Sequence, residues 1–376
     1  MSLAPPAKKS RRSVAADLPD FPWDTLASAK AIAQAHPDGI VDLSIGTPID
    51  PTPDIARRAL SRAANSPGYP LTSGTARLRW AIADYLTRRW GADSLDPAAV
   101  LPVIGTKELV AWLPTLLGLG PDDLLVYPTT AYPTYLVGAR IAGCRSIACD
   151  ELEQLSAEQP ALVWLNSPSN PTGAVLSAET LAHRVGWARD RGAMVVSDEC
   201  YGEFGWDVTP VSVLHPSVSH GSYVNLLAVH SLSKRSNLAG YRAGFVAGDT
   251  ALVAELLAIR KHAGMIVPGP VQEVMIDLLA DQDHVEVQRQ RYAARRALLR
   301  PALEDAGFTI EHSEGSLYLW ASRGEECQRT VAGLARLGIL VAPGDFYGPA
   351  GARHVRLALT APDERIDAAA KRLSGR

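Results

Sequence analysis

The stretch HSLSKRSNLAGYRAGF, residues 230–245, places Lys234 between two short apolar segments. The flanking segments, VNLLAVHS before the lysine and RAGFVAGD after it, are typical of short buried strands bounded by Gly and Asp. Burying an ammonium group costs free energy unless its charge is paired or neutralised, and a neutral lysine amine is a nucleophile towards carbonyl groups. Lys234 is therefore a candidate for Schiff-base chemistry. A surface lysine in a Ser-Lys-Arg-Ser loop is the alternative that this stretch alone leaves open.

The composition is that of a soluble globular protein with more than one domain. The chain has 376 residues, of which 47% are hydrophobic and 20% charged, and its formal net charge is −3. Because no strong basic field exists, we expect neither nucleic acid nor a membrane as partner. No apolar run is long enough to span a bilayer. The basic cluster at 8–12 is predicted to belong to a disordered tail, residues 1–15, and not to a targeting signal, since no apolar segment follows it.

The cysteines and histidines indicate no metal site. No CxxC, HxxxH or HExxH pattern occurs among the four cysteines and nine histidines. Free thiols in a chain of this length are typical of a reducing compartment. We therefore expect a cytoplasmic enzyme without a bound metal.

Apolar runs alternate with helical patterns through the middle of the chain. The runs are continuously apolar, which predicts strands buried on both faces of a mostly parallel sheet in an α/β fold. Segments such as ETLAHRVGWARDRG (179–192) would form the covering helices. The predicted strands are VLPVIG (100–105), LLVYP (124–128), ALVWLN (161–166), AMVVSDE (193–199), YVNLLAVH (223–230) and AGFVAG (243–248).

The pattern changes towards the C-terminus, which predicts a second, smaller α+β domain. Residues 283–307 have the spacing of one long amphipathic helix. Two strands around a glycine-containing turn, a helix and a last strand follow it. We expect a large domain over residues 47–282 and a small domain formed by residues 1–46 and 283–376.

Polar and glycine-rich motifs stand at the ends of five predicted strands. Ligand sites in open α/β sheets lie outside the carboxyl ends of the strands, so we expect these motifs to meet in one site. A purely structural protein would have no reason to place polar motifs at five separate strand ends. The motifs are GTK (105–107), PTTAY (128–132), NSPSNPTG (166–173), SDECY (197–201) and SLSK (231–234).

Several residues of these motifs have both a functional and a structural interpretation. Asp198 could face a protonated pyridine nitrogen and keep the ring cationic, or it could cap the next helix. Tyr201 could direct its phenol at a ring oxygen or fill the core. Asn170 could hydrogen-bond a phenolic oxygen or serve only in an Asn-Pro turn. Tyr132 could stack on an aromatic cofactor or be a core tyrosine.

An anion site is predicted where GTK opens a helix. Backbone N–H groups at a helix N-terminus attract phosphate, and Gly105, followed by Thr106 and Lys107, permits close approach. Ser231 and Arg242 could add a hydroxyl and a guanidinium to the same phosphate.

Arg356 stands inside the apolar C-terminal strand HVRLALT. A buried arginine needs an anionic partner. Either an internal salt bridge or a substrate carboxylate is therefore expected beside it.

Taken in order, these motifs resemble the class I and II (fold type I) pyridoxal-phosphate aminotransferases over essentially the whole chain, from SIGTPID (44–50) to VRLAL (355–359). The ordered combination of NPTG, D-x-x-Y and SxSK with an arginine downstream carries the resemblance. It implies the fold type I architecture, pyridoxal 5'-phosphate as cofactor and a homodimer.

The resemblance also implies which residues contact the cofactor ring. Lys234 would bind the cofactor as a Schiff base and then serve as general base or acid. Asp198 would pair with the pyridine nitrogen. Tyr201 and Asn170 would bind the ring oxygen, and Tyr132 would stack on the ring.

The phosphate and the substrate would take the remaining candidates. Arg356 would hold the substrate α-carboxylate, with Asn170 and the Gly46 backbone beside it. Tyr69, in GYPLTSG (68–74), matches a tyrosine that reaches the phosphate of the partner subunit. The phosphate cup would consist of Gly105, Thr106, Lys107, Ser231 and Arg242.

Some stretches are similar to the actinobacterial type of succinyldiaminopimelate aminotransferase, an enzyme of lysine and diaminopimelate synthesis. They include LPDFPWDTL (18–26), HPDGIVDLSIGTPIDP (36–51), SLSKRSN followed by GFVAGD, and RKHAGM (260–265). The implied reaction converts N-succinyl-LL-2,6-diaminopimelate and 2-oxoglutarate into N-succinyl-2-amino-6-oxopimelate and L-glutamate. Basic residues for the remote carboxylates are then expected, with Lys261 and His262 as candidates by position. The alternatives are an aminotransferase of aspartate, alanine, kynurenine or aromatic type, or a pyridoxal-phosphate C–S lyase.

Overall fold

The computed structural model describes residues 13–375, which form a seven-stranded, a four-stranded and a two-stranded sheet. The strands are β1 (Val41–Asp42), β2 (Val100–Ile104), β3 (Leu124–Tyr127), β4 (Arg145–Ala148), β5 (Pro160–Asn166), β6 (Met194–Asp198), β7 (Leu226–Ser231), β8 (Ala243–Gly248), β9 (Thr309–Glu311), β10 (Tyr318–Ser322), β11 (Ile339–Leu340), β12 (Ala342–Pro343) and β13 (His354–Ala358).

The helices of the same residues pack on these sheets. The α-helices are α1 (Ala27–Gln34), α2 (Asp54–Arg62), α3 (Ala76–Trp90), α4 (Thr106–Leu116), α5 (Thr134–Ala142), α6 (Ala178–Arg189), α7 (Pro216–Ser219), α8 (Leu232–Arg235), α9 (Thr250–Ala263), α10 (Gly269–Ala280), α11 (Asp283–Asp305), α12 (Cys327–Arg336) and α13 (Asp363–Leu373). Short 3-10 helices cover Val14–Asp17, Pro22–Leu26, Pro97–Ala99, Leu152–Leu155, Ala239–Tyr241, Gly344–Tyr347 and Pro349–Gly351.

The large sheet has the strand order β2-β8-β7-β6-β5-β3-β4. Strand β8 runs antiparallel to both of its neighbours, and the other paired strands run parallel. Every residue of β7 and β8 is buried, and successive residues such as Leu125 and Val126 belong to separate hydrophobic cores. The core therefore extends on both faces of the sheet, which confirms the predicted mostly parallel sheet covered by helices.

Strand β4 is missing from the sequence-based prediction. It forms one edge of the large sheet, and none of its residues is buried. An edge strand pairs with one neighbour only and needs no continuous apolar run, so its sequence, RSIA, does not mark it as a strand.

The smaller sheet is antiparallel, with the order β12-β13-β10-β9, and α11 and α13 pack against each other beside it. Strand β1 pairs in parallel with β11, and α1 packs on α12, so the N-terminal segment joins this part of the fold. The smaller α+β unit agrees with the sequence-based prediction. The domain limits, 47–282 against 1–46 with 283–376, stay a prediction.

Most of the predicted disordered tail, residues 1–15, lies outside the described residues. Within the described part, Val14 and Ala15 belong to the 3-10 helix Val14–Asp17. Between residues 13 and 375, no helix has both the length and the apolar character needed to cross a membrane.

Candidate active site

A cleft of about 370 Å³ opens at the carboxyl ends of the strands of the large sheet. Residues that follow β2, β3, β5, β6 and β7 line it, together with residues of the smaller sheet. Five strand ends thus contribute to one site, in agreement with the expectation from the motifs. The sequence candidates that line the cleft are Gly46, Thr106, Lys107, Tyr132, Asn170, Asp198, Tyr201, Ser231, Lys234, Arg242 and Arg356.

Lys234 lies in α8, the single helical turn that follows β7. The Ser231 hydroxyl caps this turn by accepting a hydrogen bond from the Ser233 N–H at 3.1 Å. Lys234 Nζ donates a hydrogen bond to the carbonyl oxygen of Gly46. Burial lowers the pKa of Lys234, so more of its amine is neutral than in water. This position inside the cleft argues against the surface-loop alternative.

Asp198 ends strand β6 and is only 6% exposed. Its Oδ2 accepts a hydrogen bond from the Tyr135 hydroxyl at 2.9 Å, and its Oδ1 accepts one from the Cys200 N–H at 3.2 Å. No helix begins at this point of the chain, so Asp198 does not act as a helix cap. Burial raises the pKa of Asp198, and within residues 13–375 no lysine or arginine forms an ion pair with it. A cationic group in the cleft would complete its surroundings.

The Asn166 side chain holds two of the strand ends together. Its Nδ2 donates to the carbonyl oxygen of Asp198 at 2.9 Å, and its Oδ1 accepts from the Asn170 N–H at 2.8 Å. The loop that carries Asn170 is therefore fixed against the end of β6.

Arg356 lies in β13 and is 2% exposed. Its Nη1 donates to Asn170 Oδ1 at 2.8 Å and its Nη2 to the Ser44 carbonyl oxygen at 2.7 Å, whereas Nε has no hydrogen-bond partner among the described residues. No carboxylate between residues 13 and 375 pairs with it, so of the two expected partners the internal salt bridge is not observed there. A carboxylate of a ligand is the partner that remains. Because Asn170 uses its oxygen here, its NH₂ group stays available as a donor.

Positive charge collects at the N-terminus of α4. Gly105, with φ of +73°, precedes this helix, and Arg242 Nη2 lies only 2.2 Å from where a Cβ of residue 105 would be. The first-turn N–H groups at Thr106 and Lys107 have no partner within the helix. Burial, and then the charge of Arg242, lower the pKa of Lys107. Neither cation pairs with a carboxylate among residues 13–375, so this cup is suited to an anion.

Four candidates do not line the cleft. Gly105 lies next to it, directly before α4. Tyr69 is 100% exposed, so its side chain is accessible to a second copy of the chain, and the homodimer stays a prediction. Lys261 and His262 lie exposed in the last turn of α9. Neither of them lines the cleft of this chain, and their contact with a substrate carboxylate stays a prediction.

The cleft contains aromatic side chains that the sequence analysis does not identify. Tyr318 lies in β10, and its hydroxyl oxygen is 2.8 Å from that of Tyr201. Phe21 and Trp23, which precede α1, form an aromatic wall with ring centroids 5.5 Å apart. Tyr318 stands within an apolar strand pattern, and Tyr135, the hydrogen-bond partner of Asp198, stands within a helix pattern. No polar motif therefore marks either tyrosine. Their hydroxyl groups were the only signal, because a buried phenol needs a hydrogen-bond partner.

The absence of a bound metal stays a prediction, and the structure adds one observation. Within the part of the chain that the structure describes, no group of His, Cys, Asp and Glu side chains is arranged to hold a metal ion.

Comparison with known proteins identifies the family. The family model "Aminotransferase class I and II" matches residues 38–373. The chain is 63% identical over 368 residues to Probable aminotransferase Rv1178 of Mycobacterium tuberculosis (strain ATCC 25618 / H37Rv). The matched residues cover 98% of this chain and 88% of that protein. It is 59% identical over 358 residues to 4-dedimethylamino-4-oxo-anhydrotetracycline transaminase OxyQ of Streptomyces rimosus, with 95% and 99% covered. The structure of a probable N-succinyldiaminopimelate aminotransferase from Thermus thermophilus matches with a TM-score of 0.86 at 30% identity, covering 94% of this chain and 100% of that one. The chain therefore belongs to the class I and II aminotransferases, and its cofactor is pyridoxal phosphate.

Proposed function

We propose that this aminotransferase transfers the amino group of N-succinyl-LL-2,6-diaminopimelate to 2-oxoglutarate, giving N-succinyl-2-amino-6-oxopimelate and L-glutamate. The observation that carries the reaction type is the buried Arg356 guanidinium, which has no carboxylate partner among residues 13–375 and lines the same cleft as Lys234. An α-carboxylate bound there would bring the substrate α-carbon into the cleft of the lysine. The succinylated donor is supported by the stretches around Lys234 and by the likeness to the Thermus thermophilus protein.

The residues of the cleft fit pyridoxal phosphate in charge and in chemistry. Asp198 is a buried carboxylate without a cationic partner in the described part of the chain, and a protonated pyridine nitrogen would supply one. The cations Lys107 and Arg242 at the N-terminus of α4 suit a phosphate dianion. The Lys234 amine suits an aldehyde. A cleft of about 370 Å³ has the size of a small-molecule site.

Four side chains would hold and orient the cofactor ring. When bound, pyridoxal phosphate supplies an electrophilic carbonyl carbon and a ring that withdraws electrons from the substrate α-carbon. The Asp198 carboxylate would favour a protonated ring nitrogen. The Tyr201 hydroxyl and the Asn170 NH₂ group would donate to the ring oxygen, and Tyr132 would pack its ring on the cofactor.

The phosphate would be held from two sides. Thr106, Lys107, Ser231 and Arg242 would bind it from this chain, with Gly105 allowing the Arg242 guanidinium to approach the backbone. The exposed Tyr69 of a second copy would complete the cup in a homodimer.

Lys234 Nζ would move the proton that the reaction requires. Because burial lowers its pKa, the amine is available as a base and can take the proton from the substrate α-carbon. Its hydrogen bond to the Gly46 carbonyl oxygen limits the positions that Nζ can take. Arg356, held by Asn170 and Ser44, would fix the α-carboxylate so that the α-carbon stays within reach of Nζ.

The aromatic wall favours a second candidate substrate. Phe21 is 53% exposed and lines the cleft with Trp23, and flat apolar side chains bind flat ring systems. The Streptomyces rimosus relative is named as a transaminase of 4-dedimethylamino-4-oxo-anhydrotetracycline. Amination of a polycyclic ketone of that kind is therefore the second candidate.

A panel of amino donors assayed with 2-oxoglutarate tests the proposal. We expect kcat/KM for the succinylated diaminopimelate to exceed that for aspartate, alanine, kynurenine and phenylalanine by about a hundredfold or more. Turnover of these four donors without turnover of the succinylated donor would overturn the substrate assignment. Amination of the tetracycline ketone, supplied as acceptor with glutamate as donor, would support the second candidate. Release of ammonia, pyruvate and a thiol from a sulfur amino acid without an oxo acid would indicate a C–S lyase.

Absorbance spectroscopy tests the role of Lys234 separately. Lys234→Ala should lose the visible band of the protein–cofactor complex, whereas the exposed Lys261→Ala should keep it. An unchanged visible band in Lys234→Ala without any added amine would contradict the covalent attachment.

A further inference from the structure

Tyr318 contacts both Tyr201 and Arg356 in the cleft, and none of the roles proposed above uses it. Its hydroxyl oxygen is 2.8 Å from that of Tyr201, and the Cζ atom of Arg356 lies 4.0 Å from its ring centroid. The side chain is 3% exposed. We propose that Tyr318 is a positioning residue that directs the Tyr201 proton into the cleft and supports the Arg356 guanidinium. This inference rests on the proposed roles of Tyr201 and Arg356.

The direction of the Tyr201–Tyr318 hydrogen bond follows from the number of protons. Each phenol carries one proton, and the two hydroxyls hydrogen-bond each other. If Tyr201 donated to Tyr318, it would have no proton left for a ring oxygen in the cleft. Tyr318 must therefore be the donor when Tyr201 donates to the cofactor. Donation by Tyr318 also strengthens the second bond, because hydrogen bonds in a chain polarise one another.

The Tyr318 ring supports the carboxylate clamp. Two edges of the Arg356 guanidinium are fixed by Asn170 and Ser44, and the face of the group lies over the Tyr318 ring. A buried guanidinium over an aromatic face gains a cation–π attraction and needs no counter-charge on that side. The clamp is thereby held in place on three sides, by Asn170, Ser44 and the Tyr318 ring.

The neighbouring backbone shows how little freedom Tyr318 has. A Cβ on Gly46 would lie 2.1 Å from the Tyr318 hydroxyl oxygen and 2.5 Å from its Cε1. The carbonyl oxygen of Gly46 accepts the hydrogen bond from Lys234 Nζ. Tyr318 therefore contacts the segment that holds the lysine as well as the two side chains that it positions.

Tyr318→Phe tests the hydroxyl while keeping the ring. The measurement is the pH midpoint of the visible absorbance change of the holoenzyme without substrate. A hydrogen bond from Tyr201 to an anionic ring oxygen favours the deprotonated form of the bound cofactor, so weakening this bond should raise the midpoint by about 0.5 pH unit. Tyr347→Phe is the matched control, since Tyr347 is buried 5.0 Å from the same guanidinium and its hydroxyl has no hydrogen-bond partner among the described residues.

The two variants give a clear decision on the hydroxyl. A raised midpoint in Tyr318→Phe with an unchanged midpoint in Tyr347→Phe supports the proposal. A wild-type midpoint in Tyr318→Phe overturns it. Because the absorbance change needs no amino donor, a wrong substrate assignment does not affect this result.

Tyr318→Leu tests the ring. We expect its KM for amino donors with an α-carboxylate to be about ten-fold higher than that of Tyr318→Phe, because the support beneath Arg356 is lost. Cofactor affinity, measured by titrating the cofactor-free protein, should differ much less between the two variants. Equal KM values for the Phe and Leu variants would overturn the part of the proposal that concerns the ring.

Discussion

Replacing Glu203 by glutamine should destabilise the part of the fold that packs against Arg235, the residue after Lys234. The Glu203 side chain is 5% exposed and accepts hydrogen bonds on both oxygens. Its Oε1 accepts from Arg235 Nε at 3.1 Å and from the Tyr85 hydroxyl at 2.8 Å, and its Oε2 accepts from Arg89 Nε at 2.9 Å. Arg235 follows Lys234 directly, so this network fixes the turn that carries the lysine.

The size of the effect follows from the burial of Arg235. Its side chain is 4% exposed, and its Nη1 and Nη2 atoms also donate to the carbonyl oxygens of Leu278, at 2.8 Å, and Asp281, at 3.1 Å. In Glu203→Gln the guanidinium stays buried without its anion. Removing one partner of a buried ion pair costs about 3–5 kcal/mol, and we expect the lower end because glutamine keeps the shape and one oxygen.

The effect should depend on pH. Burial raises the pKa of Glu203, but Arg235 and Arg89 outweigh burial and hold that pKa below its ordinary value of 4.5. A carboxyl with a lowered pKa in the folded state stabilises the fold above its unfolded pKa and loses this contribution as the pH falls through the folded value. The difference in unfolding free energy between wild type and Glu203→Gln should be complete at neutral pH and should shrink below about pH 4.5.

Urea unfolding followed by circular dichroism at neutral and acidic pH measures this difference. Glu286→Gln is the control, because Glu286 forms an exposed pair with Arg289 at 3.7 Å and should cost less than about 1 kcal/mol. Equal destabilisation in the two variants, or a difference that does not change with pH, would refute the reasoning.

Two further predictions concern ligands. Gly105→Ala would place a Cβ 2.2 Å from Arg242 Nη2 at a φ of +73°, so pyridoxal phosphate should bind the cofactor-free protein about ten-fold or more weakly. Gly118→Ala, at a φ of +71° with open space around it, is the control for backbone strain. Equal cofactor affinity in both variants would contradict the role of the phosphate cup. Arg356→Met should raise KM for every amino donor with an α-carboxylate by about a hundredfold, since charge-assisted hydrogen bonds are worth about 1.5–3 kcal/mol each. The visible absorbance band of the holoenzyme should persist in this variant. An unchanged KM would exclude Arg356 from the carboxylate site.

The sequence predicts the large sheet and much of the site for the same physical reason. A strand covered on both faces must be continuously apolar, so β5, β6 and β7 are visible as runs, and polar residues at their ends stand out. Asp198, Asn170 and Lys234 interrupt the apolar pattern at such ends. Parallel pairing then brings these ends to one edge of the sheet, and this follows from topology without knowledge of any single contact.

The residues that hold these groups in place could not be predicted in the same way. The partners of Arg356 include Ser44, which is 312 positions away in the chain, and Lys234 contacts Gly46 at a separation of 188 positions. Tyr318 contacts both regions, yet its strand, YLWAS, shows only the pattern of a buried strand. A contact between distant segments is a property of packing, and a single sequence encodes it only through residue types that many buried positions share.

Substrate choice depends on a third kind of information. The proposed Arg356 clamp would suit any α-amino acid, because it would bind only the carboxylate that all such substrates share. Discrimination must come from other residues that line the cleft, among which Phe21 and Trp23 contribute aromatic surface and Lys107 contributes a charge. An apolar wall distinguishes substrates only weakly, whereas a site built to pair a polar group rejects a substrate that lacks it. A chain selective for the succinylated donor therefore needs a cation that pairs with the remote carboxylate of this donor. Lys107 can pair with both this carboxylate and the cofactor phosphate only if the two anions lie on opposite sides of the Lys107 Nζ atom.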